Sequence, residues 1–364
     1  MRIAFYGSSL LSSYWNGAAT YYRGLLEALA GCGHAITFYE PDAFERQSHR
    51  DIDPPGWARV SVYGANETEL RRVIAEAADA DVVVKASGVG VFDRELLEGT
   101  IAAARQGAVR VFWDVDAPAT LSEMRADPDH PLRRALPDLD LVFTYGGGPP
   151  VVEGYTSLGA RRCVPVYNAL DPHAHFPVSR DPRFAADLSL LANRLPDREA
   201  RIEEFFLRPA SVLSSRTFLL GGAGWGDKPM PANVRAIGHV STNLHNAFNA
   251  SALAVLNVAR DSMAAIGYSP ATRVFEAAGA GACLITDAWD GIELFLEPQS
   301  EILVARDGAD VADQLARLTP ERAREIGARA LGRIRGEHTY DRRAALVDRL
   351  LTEALAQKRQ SLAA

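Results

Sequence analysis

The chain is poor in several things that would decide its class at once. It has 3 cysteines, Cys32, Cys163 and Cys283, far apart and without metal-ligand spacing. That excludes a disulfide framework and a zinc ribbon, and predicts buried thiols in a reducing cytoplasm. No apolar run approaches the roughly 20 residues of a membrane span. Met1 to Gly7 is too short and too quickly broken for a signal peptide and reads as a first strand. There is no excess of positive charge: the formal net charge is −7, so nothing points to a nucleic-acid partner. Fixed-period repeats, low-complexity segments and a G-x-G-x-x-G dinucleotide fingerprint are also absent.

What remains is an ordinary globular composition, 48% hydrophobic and 23% charged over 364 residues, enough for two domains with full cores. Strand and helix patterns alternate from the start, which predicts parallel sheets with helices on both faces. Seven strands are expected up to Arg162–Val166. The stretch from Tyr167 through Pro177 then reads as a linker, and the boundary is placed near residue 178. Six further strands follow, from Asp187–Leu191 to Glu301–Val304, before a terminal helix over Arg342–Ala356. The domains expected are therefore 1–177, 178–338 and a closing helical segment, 339–364.

The densest chemical signal is Gly267 to Phe295. Ser269 is predicted as a helix N-cap and Pro270 as the first helical residue. A helix N-terminus with Arg273 one turn in suits a diphosphate. Glu276, three residues on, shares the face of Arg273 and could accept both hydroxyls of a ribose. The alternative is a surface Arg273–Glu276 pair of little energetic weight.

Elsewhere, Asp114 and Asp116 follow a buried strand, where ligands of open parallel sheets bind. Either could be a general base for an acceptor hydroxyl. They also read as a D-x-D metal motif, or Asp116 as an N-cap. Three loops after strands carry small residues: Asn16 and Gly17, Gly147, and Gly222. Each is a candidate for close backbone approach to a ligand. Arg194 and Arg198 are candidates for a pyrophosphate, and His239 follows a further strand.

These motifs resemble glycosyltransferase group 1 domains, and the CgeB-like, spore-maturation-like branch in particular. Its pattern SPxxRxFEAxAxG is met by Ser269, Pro270, Arg273, Phe275, Glu276 and Ala277, with Gly279 and Gly281. Trp113-Asp114-Val115-Asp116-Ala117-Pro118, Thr144 to Pro149 and His338-Thr339-Tyr340 are similar to further stretches of that branch. The resemblance covers nearly the whole chain, most specifically residues 231–304. It implies an α/β fold of GT-B type, two doubly wound Rossmann-like domains facing across a cleft, with the last helix crossing back to the first domain. It implies transfer of a sugar from a nucleoside diphosphate sugar, UDP-linked first of all, to an acceptor hydroxyl of unspecified identity. No cofactor and no metal are implied. His239 would line the base pocket. Tyr268 stands where many members carry a second Glu, which removes the usual support for a retaining mechanism. A nucleotide-sugar epimerase of the same architecture, and a binding protein without catalysis, remain open alternatives.

Overall fold

The computed structural model describes residues 1–14 and 16–363. It divides into two compact units, residues 1–167 with 340–364 and residues 168–339. The boundary thus falls at Tyr167/Asn168 rather than near 178. The segment after it packs on the second unit: Leu170 N donates to the His338 carbonyl at 2.8 Å. A Cβ on Gly279 would lie 2.4 Å from Leu170 Cδ1.

The first unit holds a sheet of seven strands: β1 (Arg2–Tyr6), β2 (Ala35–Asp42), β3 (Ala58–Gly64), β4 (Val82–Ala86), β5 (Val109–Asp114), β6 (Leu141–Thr144) and β7 (Cys163–Pro165). Their order is β3-β2-β1-β4-β5-β6-β7, with every pairing parallel. The inner strands β1, β4, β5 and β6 are near-continuous buried apolar runs because helices cover both faces, whereas the edge strand β3 is mostly half-exposed. The order reverses between β1 and β4, so the loops after these two strands flank the switch point.

The second unit repeats the plan with β8 (Ala186–Leu191), β9 (Phe218–Gly221), β10 (Val234–Gly238), β11 (Ala252–Asn257), β12 (Leu284–Asp287) and β13 (Leu303–Ala305). The order is β10-β9-β8-β11-β12-β13, with its switch between β8 and β11. Leu188, Leu190, Phe206, Phe218, Leu256 and Ile285 centre its core.

The closing helix Tyr340–Ala363 belongs to the first unit, and it is longer at both ends than the expected Arg342–Ala356. It buries Tyr340, Ala344, Val347, Leu351 and Leu355 at helical spacing. Tyr340 lies over Gly24, where a Cβ would come within 2.3 Å of the ring. Cys163 and Cys283 are buried thiols, but Cys32 is exposed. It sits just beyond the helix Ala18–Gly31, where the chain turns back to β2. Beyond β12, residues Ile292–Leu294 form a single 3₁₀ turn.

Candidate functional site

In the second unit the helix Thr272–Gly279 presents Arg273 and Glu276 as its only charged side chains. Its small residues have a packing reason: Val274, Phe275, Ala277 and Ala278 are buried. The helix begins later than the sequence suggested. Ala271 occupies the cap position without a side-chain bond, so neither Ser269 nor Pro270 plays its expected role. The cause lies in the preceding loop. Gly267 and Tyr268 adopt φ of 72° and 50°, and Tyr268 N donates to the Asp290 carbonyl at 2.6 Å. The Tyr268 ring covers Gly291, where a Cβ would approach Tyr268 Cδ1 to 2.1 Å. This fastening delays the helix and leaves Ser269 buried in the turn. Tyr268 therefore has an internal packing role.

Arg273 is the most unusual charge in the unit. Its Nη1 atom is buried with no hydrogen-bond partner among the described residues. Burial pushes the guanidinium down to about 10; Glu276 opposes the shift and Arg198 adds to it. Arg198 is in a similar position. Burial holds it below its ordinary value, Asp197 pulls it up, and Arg260 pushes it further down. Its Nη2 donates to the Asn193 carbonyl at 2.8 Å, while its buried Nε has no partner among the described residues. Two desolvated, incompletely bonded guanidiniums within electrostatic reach of each other repel, and an anion would relieve both.

Glu276 is shielded, with 16% side-chain exposure, and its Oε1 lies 3.8 Å from His175 Nε2. His175 is itself buried, and its Nδ1 has no partner among the described residues. A second imidazole, His245, is held below its usual value by burial, with Glu276 acting in the opposite direction. Sequence reasoning missed both histidines. Their only signal was the His-punctuated linker and the start of the helix His245–Ser251, and neither identifies Glu276 as the neighbour.

The remaining candidates of this unit separate. Arg194 is committed: it makes a two-point contact with Glu199 at 2.8 Å per bond and a third bond to Asp227 at 2.8 Å. Hydrogen bonds to both carboxylates hold it above its ordinary value. Gly222, at φ 122°, is required by the protein itself, since a Cβ would meet the Ala192 carbonyl oxygen at 2.1 Å. His239 is exposed just after the edge strand β10, beside a cavity of about 440 Å³ that Arg183, Phe184 and Leu244 also line. A carboxylate that sequence reasoning passed over, Asp287, is wholly buried and accepts from Ala259 N at 3.1 Å and from Arg201. It ties the ends of β11 and β12 together.

In the first unit the two aspartates after β5 are unlike. Asp114 is fully buried. Tyr155 donates to its Oδ2, and Asp116 N at 3.0 Å and Thr120 Oγ1 at 3.1 Å donate to its Oδ1. Burial pushes its pKa up against these bonds. Asp116 is exposed and stands at the cap position of the helix Ala117–Ala126, yet its side chain makes no capping bond. The Asp116 carboxylate is thus left open, whereas the fold takes up that of Asp114. No cluster of three or more His, Cys, Asp or Glu side chains that could hold a metal exists among the described residues.

Two of the three loop candidates of this unit, Asn16 and Gly147, serve folding. Asn16 staples its own loop, accepting from Ser8 Oγ at 3.0 Å and donating to the carbonyls of Ser9 and Ser12. Gly147, at φ 89°, would place a Cβ 2.1 Å from Val151 Cγ2. Gly17 is exposed, and a Cβ placed on it would have nothing within 4 Å, so no internal contact demands a glycine.

Residues 198–349 match the model of a family described as glycosyl transferase-like. No curated protein matches the chain. Among solved structures it is similar to sucrose-phosphate synthase from Thermosynechococcus elongatus, with 14% identity, a TM-score of 0.69, and coverage of 98% of this chain and 100% of that one. Anabaena HepE in complex with UDP gives 14% identity and a TM-score of 0.68, covering 97% of this chain and 100% of that one. T4 phage β-glucosyltransferase gives 12% identity and a TM-score of 0.61, covering 96% and 99%. The chain has the GT-B fold of these structures, and residues 198–349 are similar to the glycosyl transferase-like family.

Proposed function

We propose that the protein is a glycosyltransferase that moves a sugar from a UDP-linked donor to an acceptor hydroxyl without a metal ion. The observation that carries this reading is Arg273, a desolvated guanidinium with a buried, unpartnered Nη1, next to a shielded carboxylate on the same helix. Arg273 and Arg198 would hold the diphosphate, and Glu276 would accept the ribose hydroxyls. Solved structures of HepE with UDP and of the T4 phage enzyme with UDP-glucose, similar in fold, support the choice of donor class.

In the transfer, the acceptor oxygen bonds to the anomeric carbon as the bond from that carbon to the diphosphate oxygen breaks. The acceptor proton passes to Asp116, and UDP leaves with the bonding electrons. The charge that develops on the leaving oxygen needs fixed positive groups, which the two arginines supply. The motif at residues 269–281 supports a CgeB-like branch of the group 1 transferases, and the reduced, unpaired cysteines support a cytoplasmic setting.

Calorimetric titration with UDP and UDP-glucose tests the donor assignment, and turnover in a chelator tests the metal. Binding of both ligands and unaltered turnover are expected. Failure of either nucleotide to bind would overturn the donor reading. Loss of turnover restored by manganese or magnesium would move the metal to Asp114-Val115-Asp116.

A further inference from the structure

The first unit contains a cavity of about 550 Å³ beside Asp116, formed between the segments that follow β4 and β5. Its volume lies within the ordinary range of small-molecule sites. Lys85 belongs to its lining and is out of place by composition. It follows Val82, Val83 and Val84 in a fully buried strand, and its side chain is only 5% exposed. A buried ammonium is costly unless it is paired. Here Asp93 pairs with it, and Asp93 is itself oriented by the backbone N–H groups of Val89 at 3.2 Å and Gly90 at 2.7 Å. The ammonium has three donors, and Asp93 is its one hydrogen-bond acceptor among the described residues.

The rest of the cavity mixes two kinds of surface. Leu97, Phe112 and Leu132 give it apolar walls. At its edge stand Asp116, whose carboxylate makes no hydrogen bond among the described residues, and the Glu123–His130 pair at 3.8 Å. Carboxylates from Asp93, Asp116 and Glu123 disfavour an anionic guest, and Lys85 and Arg94 disfavour a cationic one. A sugar ring meets both surfaces, with C–H faces for the apolar walls and hydroxyls for the charged groups.

We propose that this cavity is the acceptor site and that its acceptor is a neutral saccharide, one of whose hydroxyls accepts a hydrogen bond from Lys85. The inference rests on the transferase reading above for the word acceptor, but sugar binding here can be measured without the donor.

Two variants probe the site. Lys85→Met keeps the length of the side chain, and Asp93 retains its backbone donors and solvent. Ala119→Trp fills the cavity from an exposed helix position. Saturation-transfer NMR with glucose, galactose, mannose and maltose should detect binding to the wild type. Both variants should weaken it about tenfold or more, as expected for a bond to a charged group, while thermal melting confirms folding. The calorimetric affinity for UDP-glucose should stay at the wild-type value. Absence of saccharide binding to the wild type, or binding by both variants as tight as by the wild type, would overturn the proposal. Binding of sugar phosphates in preference to neutral sugars would overturn the neutral class. Saccharide binding by a protein that ignores UDP-glucose would leave the cavity as a sugar site and overturn the donor reading instead.

Discussion

Asp114 in the first unit is a buried charge and Arg273 in the second a half-buried one with a buried Nη1, and the protein treats them oppositely. Burial raises the pKa of Asp114, and bonds from Tyr155, Asp116 N, Ser87 and Thr120 offset the penalty. Burial lowers that of Arg273, and only the neighbouring Glu276 opposes it, with no hydrogen bond to the buried Nη1 among the described residues. A buried polar group without a partner costs roughly 1–3 kcal/mol, more when charged. Where the fold supplies the partners, the charge is part of the scaffold. Where it does not, as at Arg273, the proposed diphosphate takes the place of the missing partner. The same contrast separates Arg198, whose buried Nε has no partner among the described residues, from Arg194, which Glu199 and Asp227 take up.

The largest effect expected from this contrast is on rate. Asp116→Asn should lower kcat by about 10²–10⁴-fold, the usual worth of a general base, with donor affinity little changed. Steady-state kinetics with calorimetry alongside would check it, and near-normal turnover would reject Asp116 as the base. Asp114→Ala should instead lower stability, by about 1–3 kcal/mol or more, because Tyr155, Thr120 and Asp116 N lose their shared acceptor. Urea denaturation measures this; an unchanged midpoint would mean that water replaces the carboxylate without loss. Glu276→Ala should weaken UDP-glucose binding about tenfold or more and leave the melting temperature near that of the wild type. An unchanged dissociation constant would remove Glu276 from the donor site.

The smallest expected effect is a pH dependence. Burial lowers the His245 pKa below 6.5, against the pull of Glu276, with Arg273 and His175 also disfavouring the proton. The unfolded chain takes up the proton first, so this contribution to stability is present above pH 6.5 and is lost as the pH falls through the folded value. His245→Gln should therefore flatten the fall in melting temperature on the acid side of 6.5. A fall of the same steepness in the variant would assign it to other groups.

Most of the fold was legible in the sequence because parallel strands buried on both faces are written as short apolar runs between turn residues. The inner strands of both sheets lie where those runs are, and the less buried edge strands β3 and β10 follow the same alternation of strand and turn. Helix ends were less legible. Ser269-Pro270 has the composition of a helix start, but Tyr268 is fastened to Asp290 and Gly291, distant in sequence, and this moves the start to Thr272. Of the site, Glu276, Arg273, Arg198 and Asp116 stood out because charges in small, apolar or strand-end contexts need a reason. Arg194, Asn16, Gly147 and Gly222 looked the same from the sequence. What distinguishes them is whether the fold satisfies them: Glu199 and Asp227 take Arg194, and Ala192 stands against Gly222. Lys85 and His175 were invisible because their significance lies in neighbours brought by the fold, Asp93 beside a cavity and Glu276 across a packed linker.

The most direct test sets the two kinds of arginine against each other in one titration. Arg273→Met and Arg194→Met would be compared with the wild type for calorimetric binding of UDP. Loss of a charge-assisted bond to the diphosphate should weaken binding to Arg273→Met about tenfold or more. Arg194→Met should bind as the wild type does, because Glu199 and Asp227 already occupy that guanidinium. Equal affinity in Arg273→Met and the wild type, or a larger loss in Arg194→Met, would contradict the claim that the unsatisfied charge marks the donor site.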